Sequence, residues 1–236
     1  MAAYHDTFFD RPSPLENDEF VLLYKYFKMH DIKNNKYLDV GCGTGDLCLY
    51  MANCGYNVTG LDFSDNMLLV ARNKLALFKN AIEARKRTFN NPQNIMNKIE
   101  NHSITSVLPK IKFIKDDITK IHNIKEQYNI ITMINTLSYI DSNCMPLVFK
   151  NIYNSLYDGG YIFFNLITKV EYLNQKPISS ENYHFVYEIT RYYDELKGLN
   201  YTNYRFNESQ VIKTPLEINF IEYDYSLSSI IRALND

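Results

Sequence analysis

Nine residues restrict the fold more than any others: Tyr37 to Gly45 read YLDVGCGTG. A short apolar strand, Tyr37 to Val40, runs straight into glycines at 41, 43 and 45, and a helical stretch from Asp46 to Asn53 follows until Gly55 stops it. Asn57 to Leu61 (NVTGL) then reads as a second strand that ends on Asp62, with Ser64 or Asp65 able to cap a helix from near Asn66. Strand, glycine loop, helix, strand, acid, helix is the opening of an α/β chain with a parallel sheet and right-handed crossovers.

The alternation continues. Strands are expected at Ile111 to Lys115 before Asp116-Asp117, at Asn129 to Ile134 before Asn135-Thr136, and at Tyr161 to Leu166 after the turn Asp158-Gly159-Gly160. Between the last two, Leu147, Ile152 and Leu156 share a helical face, and Pro146 belongs in the first turn, where its missing N–H costs nothing. Ahead of the core, Ser13-Pro14-Leu15-Glu16 starts an amphipathic helix to about His30.

Two stretches depart from this order. Residues 77–109, with Lys79, Arg85, Lys86 and Arg87 and then a polar run, read as a helical extension plus an inserted excursion. HFVYEITRYY, LNYTNYRF and EINFIEYDY, between Tyr183 and Tyr225, alternate like strands and predict an antiparallel cap of about three strands. Ser226 to Asp236 reads as a last helix. The expected organisation is therefore an N-terminal helix or lid at 1–35, a core at 36–168, a cap at 169–225 and a final helix at 226–236.

Composition narrows the function. The 236 residues carry 25 Lys+Arg against 27 Asp+Glu, a net charge of -2, so the broad basic field of a nucleic-acid binder is missing. No stretch approaches the roughly 18 apolar residues of a membrane span, and Met1 to Asp10 lacks the plan of a secretion signal, which points to the cytoplasm. The four cysteines, Cys42, Cys48, Cys54 and Cys144, match neither zinc spacing nor a disulfide scaffold, so no metal is expected and the thiols read as free.

The glycine loop brings backbone N–H groups close to a ligand, because glycines 41, 43 and 45 remove the side chains that would block the approach. Three acids accompany it: Asp39 before the loop, Asp62 at the second strand's end, where a ribose hydroxyl pair would lie, and Asp117 after the third, where an adenine amine could be met. A nicotinamide dinucleotide wants G-x-G-x-x-G and a pyrophosphate at the helix start. Here the pattern is G-x-G-x-G, and Asp39 would repel a pyrophosphate but accept hydrogen bonds from the ammonium of a methionine tail.

LDVGCGTG, then GLDFSDNML, then FIKDDI, resembles the Rossmann-like class I S-adenosylmethionine (SAM)-dependent methyltransferases. Asn135-Thr136-Leu137-Ser138-Tyr139 after the fourth strand, and strands inserted after the fifth, resemble the small-molecule branch that includes aminosugar N-methyltransferases. The resemblance implies a mostly parallel sheet flanked by helices, and S-adenosyl-L-methionine as cofactor. It assigns the methionine end to Asp39, Gly41, Cys42, Gly43 and Gly45, the ribose to Asp62, and the adenine to Phe63, Met67, Asp117 and Ile118; Asn135 and Leu137 would line the sulfonium, with Tyr4 added from the N-terminal segment. The family's usual final β hairpin has no counterpart after Ser226.

Methyl transfer from a sulfonium needs alignment and desolvation of the nucleophile more than a protein nucleophile. Tyr139 and His184 are the catalytic candidates, with His5, Tyr187, Glu222 and Tyr223 beside them as candidate pocket residues. The expected acceptor is a small-molecule amine or hydroxyl. The alternatives are a SAM-binding subunit without turnover or completed by a partner chain, a homo-oligomer, and an RNA or protein methyltransferase served by the basic stretch that includes Lys74 and Lys98.

Overall fold

The computed structural model describes residues 18–30, 32, 36–89, 110–120, 126–165, 187–194, 199–206, 216–223 and 227–235. Along the chain come α1 (Asp18–Met29), β1 (Lys36–Val40), α2 (Asp46–Asn53), β2 (Asn57–Asp62), α3 (Asp65–Phe89), β3 (Ile111–Lys115) and β4 (Tyr128–Met133). Two 3-10 turns follow, Leu137–Tyr139 and Ser142–Cys144, then α4 (Met145–Asn154), β5 (Leu156–Phe164), β6 (Tyr187–Asp194), β7 (Leu199–Phe206), β8 (Leu216–Tyr223) and α5 (Leu227–Asn235).

β1 to β5 form one sheet in the order β3-β2-β1-β4-β5, and β1 pairs parallel with both β2 and β4, as β2 does with β3. The expected α/β class is what the chain adopts. Central strands covered on both faces are largely apolar, and β1 and β4 are buried along nearly their whole length, with Asp39 and Thr132 as buried polar exceptions. The antiparallel strands expected late in the chain also form, as a separate sheet in the order β6-β7-β8.

Two compact units result: Met1–Ile134 with Asn151–Phe163, and Asn135–Lys150 with Phe164–Asp236. In the first, a cluster of aromatic rings takes the place that tryptophan often fills. Phe27 packs on Tyr37, Tyr56 and Phe163, with centroids 6.4, 6.0 and 4.9 Å away, and Tyr24 meets Tyr50 and Tyr56 edge-on. Phe27 and Tyr37 are fully buried, so α1 is fastened to β1 by the largest side chains available.

Two boundaries differ from the sequence reading. β5 begins at Leu156 and carries Asp158-Gly159-Gly160 inside it, with Gly159 at φ 75°; the expected turn is an irregularity within the strand, not its border. The helix after β2 is 25 residues long and absorbs the expected extension as far as Phe89, while residues 90–109 lie outside the described ones. Pro146 sits second in α4, in the first turn as its chemistry requires.

Candidate functional site

All three loop glycines hold left-handed backbone, with φ of 70° at Gly41, 53° at Gly43 and 82° at Gly45. A residue with a Cβ adopts this region only at a cost, which is why the turn is written in glycine. The loop is stitched to β2 from below: the N–H groups of Gly41 and Cys42 both donate to the Leu61 carbonyl, at 2.7 and 3.0 Å. Beyond it, the Gly43 N–H donates to Asp62 Oδ2 at 2.9 Å and the Ser64 N–H to Oδ1 at 2.8 Å. Asp62, buried at the carboxyl end of β2, is thus fixed in orientation with one acceptor position left on each oxygen.

What surrounds the glycines differs. A Cβ at Gly43 would meet nothing within 4 Å, so this part of the loop borders open space. At Gly45 it would come within 2.9 Å of the Phe113 ring, and Gly60, inside β2, is tighter still, with Phe113 Cδ1 at 2.7 Å and the Cys42 and Cys48 sulfurs both at 2.9 Å. Gly60 was not among the residues singled out from sequence. A glycine in the middle of an apolar strand was the signal that something approaches closely there.

Asp39 lies under the loop, 3% exposed. Its Oδ1 accepts from the Thr132 hydroxyl at 2.8 Å and its Oδ2 faces the Cys48 thiol at 3.5 Å; Thr132 is in turn 2.8 Å from the Tyr37 hydroxyl. Burial pushes the Asp39 carboxyl up to about 7, against the pull of the Thr132 and Cys48 hydrogen bonds. Burial likewise raises Cys48 well above an ordinary thiol, so it is a packing group and not a nucleophile.

Lys74 reaches from α3 to the helix start, donating to Asp46 Oδ1 at 2.7 Å and to Thr44 Oγ1 at 3.0 Å. It was grouped by sequence with a basic stretch suited to RNA. The structure ties its ammonium to the glycine turn instead, where it holds the loop against the long helix.

The adenine candidates are arranged less uniformly. Phe63 is 73% exposed, an apolar ring next to Asp62 in open water, and Met67 follows one turn into α3, half-buried. Asp117 spends most of its carboxylate locally, accepting from the Thr119 N–H at 3.0 Å and hydroxyl at 2.6 Å and pairing with Lys120 at 3.2 Å. Burial pushes Asp117 up, but the Thr119 and Lys120 bonds outweigh it and hold the carboxyl below its usual range. Ile118 is buried, and its carbonyl accepts from Asn151 Nδ2 at 2.9 Å.

Asn135, Leu137 and Tyr139 belong to the second unit. Asn135 is the one non-glycine at positive φ among the described residues, at 53°, and a reciprocal pair holds it there: its N–H donates to Asn165 Oδ1 at 2.6 Å while Asn165 Nδ2 donates to its Oδ1 at 2.7 Å. Sequence reasoning had no signal for Asn165. Leu137 is fully buried and offers a ligand no side-chain surface, whereas Tyr139 is 52% exposed. Tyr4, His5 and His184 lie outside the described residues, and Tyr187 is described only as the first residue of β6.

Among the described residues no helix is long and apolar enough to cross a membrane. The chain is similar to a ubiquinone biosynthesis O-methyltransferase of Shewanella pealeana, 30% identical over 138 residues that make up 58% of this chain and 46% of the relative. It spans about half the length of the curated relatives it matches. Among solved structures, a S-adenosylmethionine-dependent methyltransferase from Clostridium acetobutylicum matches with a TM-score of 0.70 at 18% identity, over 99% of this chain and 83% of that one. CalS10, an amino pentose methyltransferase from Micromonospora echinaspora solved with SAM bound, matches with a TM-score of 0.69 at 12% identity, over 98% and 86%. At such identities the likeness is one of fold. A family model described as a methyltransferase domain matches residues 18–205, and with most of its length covered the chain belongs to that family.

Proposed function

We propose that the chain is a SAM-dependent methyltransferase that acts on a small-molecule amine or hydroxyl. One observation carries the reading: the left-handed loop opens onto free space at Gly43, beside a buried carboxylate, Asp62, that two backbone N–H groups hold with an acceptor position spare on each oxygen. A ribose presents two vicinal hydroxyls, which is the donor pair this carboxylate can take. The exposed Phe63 ring next to it suits an adenine face.

Asp39 fits the cationic end of the same ligand. A buried carboxyl raised to about 7 is half protonated at neutral pH, and a nearby ammonium favours its charged form. Binding of an ammonium there releases a proton from Asp39, in a site that repels a pyrophosphate. Gly41, Cys42 and Gly45 shape the turn, Met67, Asp117 and Ile118 serve the adenine side, and Asn135, Tyr4 and the backbone of Leu137 complete the proposed cofactor set. When bound, SAM supplies a methyl group already activated by the positive sulfur.

For the acceptor, Tyr139 and His184 are the proposed catalytic residues, orienting a neutral nucleophile so that its lone pair stays available. A small molecule is favoured by the net charge of -2 and by Lys74 being tied to Asp46, which subtracts from the one basic stretch. The similarities to an amino pentose methyltransferase and to a quinone-pathway O-methyltransferase point the same way and leave nitrogen and oxygen both open. Segments 1–35 and 169–225 are proposed to choose the acceptor.

Calorimetry with S-adenosylhomocysteine and with a nicotinamide dinucleotide tests the donor. Binding of the first and not the second is expected; the reverse preference would overturn the reading.

A further inference from the structure

The loop that borders open space at Gly43 is written in the residues least able to hold a shape. Its glycines at 41, 43 and 45 permit the left-handed backbone and, in a chain left to itself, a wide choice of other conformations. β2 fixes the near end of the turn, through the Leu61 carbonyl and the Asp62 carboxylate. The far end is the start of α2, where Gly45 stands as N-cap at φ 82° with no side chain to cap the helix. That end has to be held from outside the turn.

α3 does so at two successive positions of one face. Ala71 lies so close to Gly45 that a Cβ on the glycine would come within 3.0 Å of the Ala71 Cβ. Three residues on, Lys74 donates to Thr44 Oγ1 at 3.0 Å and to Asp46 Oδ1 at 2.7 Å, the two residues that flank Gly45. The Thr44 hydroxyl lies 3.4 Å from Asp46 Oδ2, so ammonium, hydroxyl and carboxylate form a closed bracket across the glycine. Thr44 and Asp46 are both buried, and water competes little for these bonds. An ammonium that grips both flanks of Gly45 constrains the turn in a way that a single ion pair would not.

We propose that Lys74 is a positioning residue for the cofactor: by bracketing Gly45 from α3 it keeps the glycine turn in its ligand-ready shape before SAM arrives. The proposal rests on reading this turn as the SAM site, and Lys74 acts in it through Thr44 and Asp46, not by touching the ligand. A ligand that needs the turn arranged binds only the arranged fraction of molecules, so the apparent association rate scales with that fraction. Dissociation starts from a turn that the ligand itself holds and is left alone. This direction is diagnostic, because substitutions among residues that touch a ligand act mostly on dissociation.

The test follows association and dissociation of S-adenosylhomocysteine separately, by real-time interferometry, on three chains: native, Lys74→Met, which keeps the stem and loses the ammonium, and Lys74→Arg, which keeps a cationic donor. Lys74→Met should associate about five- to twentyfold more slowly, with dissociation changed by less than about twofold, and Lys74→Arg should recover most of the rate. The double variant Lys74→Met with Asp46→Asn should stay slow, because removing the stranded carboxylate does not rebuild the bracket. Amide exchange over residues 41–48 should quicken in free Lys74→Met while β4 is unchanged, and should return to the native rate under saturating S-adenosylhomocysteine. Native association in Lys74→Met, a loss carried by faster dissociation, full recovery in the double variant, or unchanged exchange overturns the proposal. Should Lys74→Met not fold, Lys74→Gln takes its place, and failure of both to fold also overturns it, since Lys74 would then serve the fold at large. A native chain that does not bind S-adenosylhomocysteine counts against the methyltransferase reading and takes the cofactor role of Lys74 with it, whereas the exchange rates show separately whether Lys74 holds the turn.

Discussion

Replacing Asp39 by asparagine separates what this acid costs the fold from what it does for a ligand. The carboxyl is nearly sealed from water and titrates at about 7 in place of 3.8. Between those two values the folded chain keeps a proton that the unfolded chain has already released, so stability from this group is complete below about pH 4, falls as pH rises through the window, and levels off above about pH 7. At about 1.4 kcal/mol per pH unit, the ionised acid costs the fold on the order of 4 kcal/mol at alkaline pH. Asparagine keeps an oxygen for the Thr132 hydroxyl and never ionises. Urea unfolding at pH 4, 5.5, 7 and 8 should therefore show the Asp39→Asn variant close to native stability at pH 4 and several kcal/mol above it at pH 8, with unchanged m-value. The same variant should bind S-adenosylhomocysteine more weakly. A stability gap that does not vary with pH, or that widens toward acid, would refute the reasoning.

Three further outcomes are expected. Asp62→Ala should weaken S-adenosylhomocysteine by about 1 to 3 kcal/mol through the lost ribose bonds, and unchanged calorimetric affinity in a folded variant would remove Asp62 from the site. Gly43→Val should abolish that binding with a native far-ultraviolet spectrum, because the open space admits the side chain but φ of 53° strains it and the branch fills the approach; retained binding would make the loop a mere connection. Gly60→Ala should cost about 1 to 3 kcal/mol in thermal unfolding, since the added carbon must displace the Phe113 ring and two sulfurs, and an unshifted Tm would show that these neighbours yield freely.

The strand positions were legible because parallel strands buried on both faces leave apolar runs, and the observed β1 to β4 start or stop within one residue of the expected places. β5 was misjudged at its start for a physical reason: Asp158-Gly159-Gly160 has the composition of a turn, and a glycine at positive φ can equally be absorbed as an irregularity when the ladder continues on both sides. At the site, glycines and acids announce themselves because backbone geometry demands the former and hydrogen bonding the latter. Thr132, Lys74 and Asn165 did not, since each acts through partners 28 to 95 residues away in the chain, and no local pattern encodes such a pairing.

The irregular beginning of β5 also bears on how this protein behaves when concentrated. β5 is an outermost strand of the described five-stranded sheet, and such a margin is where another polypeptide could add itself. Gly159 breaks the even spacing of N–H and carbonyl groups three residues after Leu156, and the Lys36 ammonium sits 5.6 Å from the centre of the neighbouring Tyr157 ring, putting a hydrated charge beside the broken stretch. The strand beyond the two glycines, Tyr161 to Phe164, is short for a segment that seeds a growing cross-β stack. A β-branched replacement at 159 that regularised the strand would therefore trade local strain for a more continuous template.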